Sequence, residues 1–108
     1  MLTKDELPEC PVATTVHLIG NKWKLLILRN LIYNGNQRFT NFIKTIPAIS
    51  KKVLTDNLRS LEDDGIVERE VFAEVPPRVE YSLTPLGESL KPILDAMVNW
   101  GTEYKNSL

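Results

Sequence analysis

Apolar residues recur at helical spacing through the first sixty positions and then change to a two-residue alternation. From Pro11 to Ile19, the residues Val12, Val16 and Ile19 sit at i, i+4 and i+7 with Leu18 beside them, which predicts a short helix opened by Pro11 and stopped by Gly20. Asn21 is placed to cap a second helix whose body, Trp23 to Tyr33, is apolar on nearly every side and ends at Asn34-Gly35. A helix without a polar face belongs at the centre of a fold. Phe39, Phe42, Ile43 and Ile46 predict a third, short amphipathic helix that must stop before Pro47. Ser50 then caps, and Gly65 stops, a fourth helix. Leu54, Leu58 and Leu61 form its inner stripe, and Lys52, Thr55, Asp56, Arg59 and Asp63 share a narrow arc on the opposite side.

Beyond Gly65 the period changes. Val67, Arg69, Val71 and Ala73 alternate with Glu68, Glu70, Phe72 and Glu74, and Val79, Tyr81 and Leu83 alternate with Glu80 and Ser82. The two strands are joined by Val75-Pro76-Pro77, a stiff turn, so they predict a hairpin. Thr84 caps and Pro85 opens a last helix, carried by Leu86, Leu90, Ile93, Leu94, Met97, Val98, Gly101 and Tyr104, with Pro92 expected to bend or loosen it. Three helices, the last after a tight turn, and then a hairpin give the order of a winged helix-turn-helix. The expected class is therefore mainly α with a small β-hairpin (α+β), in one domain over residues 1–108.

Charge changes the picture only when it is read by position. The net charge of -1 argues against a nucleic-acid partner, yet residues 21–60 carry eight cations against Asp56 alone, a balance of +7, while residues 61–80 stand at -5. Such blocks also arise as a solvated surface of neighbouring salt bridges, so placement decides between the two. The helix of residues 50–64 offers Ser50, Lys51, Lys52, Thr55, Asp56 and Arg59, a set of donors and an acceptor able to meet phosphates and base edges. The same residues also suit an ordinary solvated helix face. Arg78 beside Pro76-Pro77 makes the hairpin of residues 66–84 a stiff arm with a cation at its end, suited to a backbone or minor-groove contact, or else an ordinary turn with a stray arginine.

Other chemistry is scarce. A single cysteine, Cys10, and a single histidine, His17, leave neither an intrachain disulfide nor a zinc ligand set, and no GxSxG, HExxH, P-loop or GxGxxG string occurs, so no enzyme, metal or cofactor is expected. No apolar run approaches a membrane span, and the acidic start Met1-Leu2-Thr3-Lys4-Asp5-Glu6 reads as neither a secretory signal nor a transit peptide, which places the chain in the cytoplasm. Cys10 precedes Pro11 at a helix start, where unpaired backbone N–H groups and the helix dipole favour a thiolate. It reads either as a reactive thiol or as a small packing residue, and His17 as a packing residue rather than a ligand. The last helix carries more apolar width than one small domain needs, which marks either a partner or a longer core face.

The strings Cys10-Pro11-Val12, Leu18-Ile19-Gly20-Asn21-Lys22-Trp23-Lys24, Arg38-Phe39, Ile46-Pro47-Ala48-Ile49-Ser50 with Leu54-Thr55, Leu58-Arg59 and Leu61-Glu62, and Glu74-Val75-Pro76-Pro77-Arg78-Val79-Glu80-Tyr81-Ser82-Leu83-Thr84 closely resemble the HxlR-type winged-helix transcriptional regulators. The family more often has glycine where Asn21 and Ala48 stand. The resemblance covers nearly the whole chain and implies a homodimer built by the first and last helices (residues 11–20 and 85–105) on a two-fold DNA operator. The candidate DNA-binding residues are then Arg38, Ser50, Lys51, Lys52, Thr55, Asp56, Arg59, Pro77 and Arg78, and the candidate seam residues Val12, Val16, Ile93, Leu94, Met97 and Trp100. Some relatives similar in this region use an amino-terminal cysteine to sense oxidants or electrophiles, a role the resemblance offers to Cys10. The alternative is a winged-helix module whose reading face meets a protein; a small-molecule effector is not readable.

Overall fold

The computed structural model describes all 108 residues. After a 3-10 turn at Lys4–Glu6 come α1 (Pro11–Ile19), α2 (Lys22–Asn34), α3 (Phe39–Thr45), α4 (Lys51–Asp63), β1 (Val67–Phe72), β2 (Arg78–Leu83), a single turn α5 (Pro85–Glu88) and α6 (Lys91–Asn106). The expected class and order hold: a mostly helical chain with one antiparallel hairpin, in the arrangement of a winged helix-turn-helix. No helix is long and apolar enough to cross a membrane.

The core gathers around α2. Ile27, Leu28 and Leu31 of α2, Phe42 and Ile46 from the α3 region, Leu54, Leu58 and Leu61 of α4, and Ile66, Val67 and Tyr81 of the hairpin root form one buried cluster. α2 touches α3, α4, β2 and α6, so its expected central place is confirmed. The caps are those the sequence offers: the Asn21 side chain accepts from the Lys24 N–H at 2.8 Å, and Ser50 Oγ from the Val53 N–H at 3.1 Å. Asn21 does more than cap, because its amide nitrogen also donates to Asn57 Oδ1 of α4 at 3.1 Å.

Three features depart from or add to the expected elements. The last helix is not continuous: the chain turns at Ser89-Leu90 and restarts with Pro92 in the first turn of α6. Within one helix from Pro85, Pro92 would leave a carbonyl unpaired and press its ring on the preceding turn, whereas in a first turn its missing N–H is needed by nothing. The hairpin gains a third partner, since Gln37 donates its N–H to the Tyr81 carbonyl at 2.9 Å and accepts from the Tyr81 N–H at 2.8 Å. Thr84 knots the root of the hairpin to α5. Its hydroxyl donates to the Gly65 carbonyl at 2.6 Å, its oxygen accepts from the Gly87 N–H, and Gly87 lies so near that an added Cβ would stand 2.2 Å from the Ile66 carbonyl oxygen.

The hairpin pairs Val67 with Leu83 through Phe72 with Arg78. Its root is buried at Val67 and Tyr81, while Val71 is half exposed and Val75 fully so, which makes the outer half a projecting wing. The chain is also extended for its length: its radius of gyration is 15.0 Å, against about 13 Å for a compact domain of this size.

Ala48, in the turn between α3 and α4, adopts φ +63°. This left-handed conformation strains any residue with a Cβ. Ala48→Gly is expected to raise the unfolding free energy by about 1 kcal/mol, read as a higher urea midpoint at unchanged slope; a lower midpoint would contradict the strain.

Candidate nucleic-acid interface

α4 is held by its three leucines, so the residues between them must face outward. Leu54, Leu58 and Leu61 are no more than 2% exposed, whereas Lys51, Lys52, Asp56 and Arg59 are exposed and Thr55 is half-buried. The arc expected from the sequence is therefore one surface. Arg59 lines two shallow crevices, one with Met1, Leu2, His17, Asp56 and Asp63, the other with Thr55, Glu62, Arg69 and Tyr81. His17 is exposed in the single chain and lines the first of these. Lys52 Nζ bonds Asp56 Oδ2 at 2.6 Å, an i,i+4 pair with both side chains more than half exposed. Such a pair contributes little to stability and opens readily. Lys51, Arg59 and Arg38, which stands at the start of α3, belong to no ion pair.

The charge along α4 runs against its own dipole. Cations occupy the first turn at Lys51 and Lys52, and Glu62 and Asp63 occupy the last, with no acid in the first turn and no base in the last. Each charge so placed costs about 0.3–1 kcal/mol of helix stability. The lysines concentrate positive potential at the N-terminal end of α4, the end where the helix dipole disfavours it. The +7 block of the sequence is in fact divided. Lys24 is buried and donates to the Leu18 carbonyl at 3.2 Å, Lys22 lies over the Trp23 ring, and Arg29 lines a crevice with Tyr33 and Asp95 near α6. Burial of Lys24 was not readable, since its helix-mates are apolar in nearly every direction.

Arg78 is not the free cation expected of the wing. Its guanidinium stacks on Phe72 at 4.0 Å, and its Nε lies 2.9 Å from Glu74 and 3.3 Å from Glu80. Pro77 is exposed in the adjoining tip, where the Val75–Pro76 bond is cis.

A second surface lies on α1 and α6. Val12, Val16, Ile93, Met97 and Trp100 are exposed, as are Val98 and Tyr104, and Trp100 stacks on Tyr104 with centroids 5.4 Å apart. Pro92, Ile93, Ala96, Met97 and Trp100 line an open groove of about 610 Å³. Leu94 stands apart from its expected group: it is buried within its own chain and anchors α6 instead of lining this face. The join of α6 to α2 also has a polar clip in which the Tyr33 hydroxyl donates to Asp95 and Lys91 Nζ bonds the same carboxylate at 2.8 Å. Lys91 first and Tyr33 second hold the Asp95 carboxyl below its ordinary range, while the Asp95 bond pushes the Tyr33 phenol up. The depressed Asp95 pKa means that its share of stability is present at neutral pH and fades as pH falls through the folded-state value. Cys10 is exposed at the N-cap of α1. No group of three or more His, Cys, Asp or Glu is placed to hold a metal.

Comparison with known proteins agrees with this architecture. The model of the HxlR-like helix-turn-helix family matches residues 18–108. YdeP of Bacillus subtilis (strain 168), an uncharacterized HTH-type transcriptional regulator, is 46% identical over 106 residues, covering 98% of this chain and 82% of YdeP. Among solved structures, the redox regulator HypR in its reduced form is 44% identical with a TM-score of 0.85, covering 91% of this chain and 96% of that one. Diamide-treated YodB from B. subtilis is 36% identical with a TM-score of 0.71, covering 88% and 94%.

The dipole argument gives an opposed pair of effects. Lys51→Glu is expected to stabilise the protein, by about 0.3–1 kcal/mol, while weakening retention on DNA at least tenfold. Thermal melts and filter binding on the same preparation check it; if both quantities move the same way, the lysines serve the fold and not a ligand.

Proposed function

The chain belongs to the HxlR-like helix-turn-helix family, whose curated relatives are HTH-type transcriptional regulators, and from that premise we propose that it binds double-stranded DNA as a homodimer on a two-fold operator. Each subunit lays α4 in a major groove, with Ser50, Lys51, Lys52, Thr55, Asp56 and Arg59 toward the DNA and Arg38, Pro77 and Arg78 flanking it. The observation that carries this reading is the placement of Lys51 and Lys52 against the dipole of α4, on an outward face that its leucines fix. The whole chain acts as one cytoplasmic module: residues 50–64 read, residues 66–84 form the wing, and residues 11–20 and 85–105 dimerise. The exposed Val12, Val16, Ile93, Met97 and Trp100 and the extended outline of the chain support the dimer. Such a pair sets its reading helices about 34 to 36 Å apart, at successive major grooves on one side of B-DNA.

Selection of duplexes from a random library by the reduced protein tests this reading. The expected product is a two-fold motif with half-sites about one helical turn apart. Arg59→Ala should cost about 1–3 kcal/mol and relax the preference at one base pair. Retention without an enriched motif and without salt dependence would instead indicate a protein partner for the same face.

Cys10 is the oxidant- or electrophile-responsive group in this proposal, supported by its exposure at a helix N-cap and by structural likeness to HypR and YodB. Cys10 is the one cysteine in this sequence, so the disulfide we propose joins the Cys10 of one subunit to that of its partner. The two Cys10 thiols lose two protons and two electrons to diamide, which becomes the hydrazine. An electrophile such as a quinone is instead attacked by the thiolate, giving a thioether adduct at the ring. Cys10→Ala should keep operator affinity and lose the response of binding to diamide or a quinone; an unchanged response would remove Cys10 from the mechanism.

A further inference from the structure

One face of the wing is built against its own cation. The register sets Glu68 opposite Ser82, Glu70 opposite Glu80 and Phe72 opposite Arg78, so these six side chains share a face, and Glu74 follows just beyond β1. Two of these carboxylates, Glu74 and Glu80, lie within ion-pair distance of the guanidinium. Glu70 and Glu80 form a directly opposed like-charged pair, an arrangement that destabilises a hairpin unless a counter-charge stands near. Arg78 supplies that charge, with Nε 2.9 Å from Glu74 Oε2 and 3.3 Å from Glu80 Oε2, its plane resting on Phe72. Yet the buried Nε has no aligned hydrogen bond to either carboxylate. The attraction is Coulombic and lacks the paired N–H···O geometry that arginine makes with a well-placed carboxylate or phosphate.

That combination is one of reserve. A phosphate offers Arg78 the bidentate bonds that the glutamates do not, while Glu74 and Glu80 repel the phosphate's approach. We propose that Glu74 and Glu80 act as a carboxylate clamp which competes with DNA phosphate for Arg78 and so sets the affinity of the wing for the duplex. The proposal rests on the DNA-binding reading above, and adds Glu74 and Glu80 as residues that limit binding without contacting a base. Because phosphates carry no sequence information, the clamp lowers affinity for all duplexes alike and leaves the preferred motif to α4.

The test is a double-mutant cycle on duplex binding at fixed salt. Glu74→Gln, outside the strands, and Glu80→Gln are each expected to tighten binding about two- to fivefold, the range of an exposed ion pair, with the preferred motif unchanged. The gain should vanish in an Arg78→Ala background. In the free protein, the Arg78 Nε–H resonance should shift and exchange faster with solvent in Glu74→Gln, a readout that needs no DNA. Gains that persist without Arg78 would mean general repulsion and no clamp. Unchanged or weaker binding by both glutamine variants would also overturn the clamp. Arg59→Ala separates this from the reading beneath it: if Arg59→Ala loses affinity while the glutamine variants gain none, the clamp alone falls. If wild type retains no duplex above background at low salt, the DNA-binding reading falls and takes the clamp with it.

Discussion

The seating of α4 on α2 is the constraint from which the rest of the molecule follows. Leu54, Leu58 and Leu61 enter the same buried cluster as Ile27, Leu28 and Leu31. Burial of each such side chain stabilises the fold by about 1.5–3 kcal/mol. Rotation of α4 about its axis would expose leucines and bury lysines together, so the outward arc is as firmly set as the core itself. Asn21 adds a polar check on the same seating through its bond to Asn57. The wing inherits its position from this pair, because Ile66 and Val67 follow α4 directly into the cluster and Thr84 fastens the return strand.

The elements legible in the sequence were those written in periodicity and caps. α1, α2 and α4 began and ended at Pro11, Asn21, Ser50 and their stops because each end has a local chemical reason that needs no tertiary context. The break at Ser89-Leu90 was signalled only as a bend, since one proline does not say whether a helix kinks or restarts. The Gln37 bridge to Tyr81 has no sequence signal, being a single backbone pairing between distant segments. At the candidate site, the exposed arc of α4 was readable from the leucine spacing. The environments of Lys24, Leu94 and Arg78 were not, for each depends on a neighbour from another turn, helix or strand.

Six of the cations fall into two groups by what holds them. Lys24, Lys22 and Arg29 are absorbed by the body of the protein, through a carbonyl, an aromatic ring and a crevice near α6. Lys51 and Lys52 sit at the wrong end of a dipole, and Arg78 lies between carboxylates without an aligned bond. Net charge near zero hides this division.

α1 is fastened at one end only. Ile19 is its single buried residue, the Leu18 carbonyl receives the Lys24 ammonium, and Gly20 turns so tightly that no Cβ would fit against the Val16 carbonyl. Its other end, at Cys10, stands exposed. At about 1.5 Å per residue the helix is a lever of roughly 14 Å, so a tilt of about 10° at the Gly20 fulcrum sweeps the Cys10 end through about 2 Å. A displacement of about 1 Å imposed at the Cys10 end likewise returns to the Gly20 pivot as a tilt of about 4°, so the two ends are coupled as the ends of a crank are.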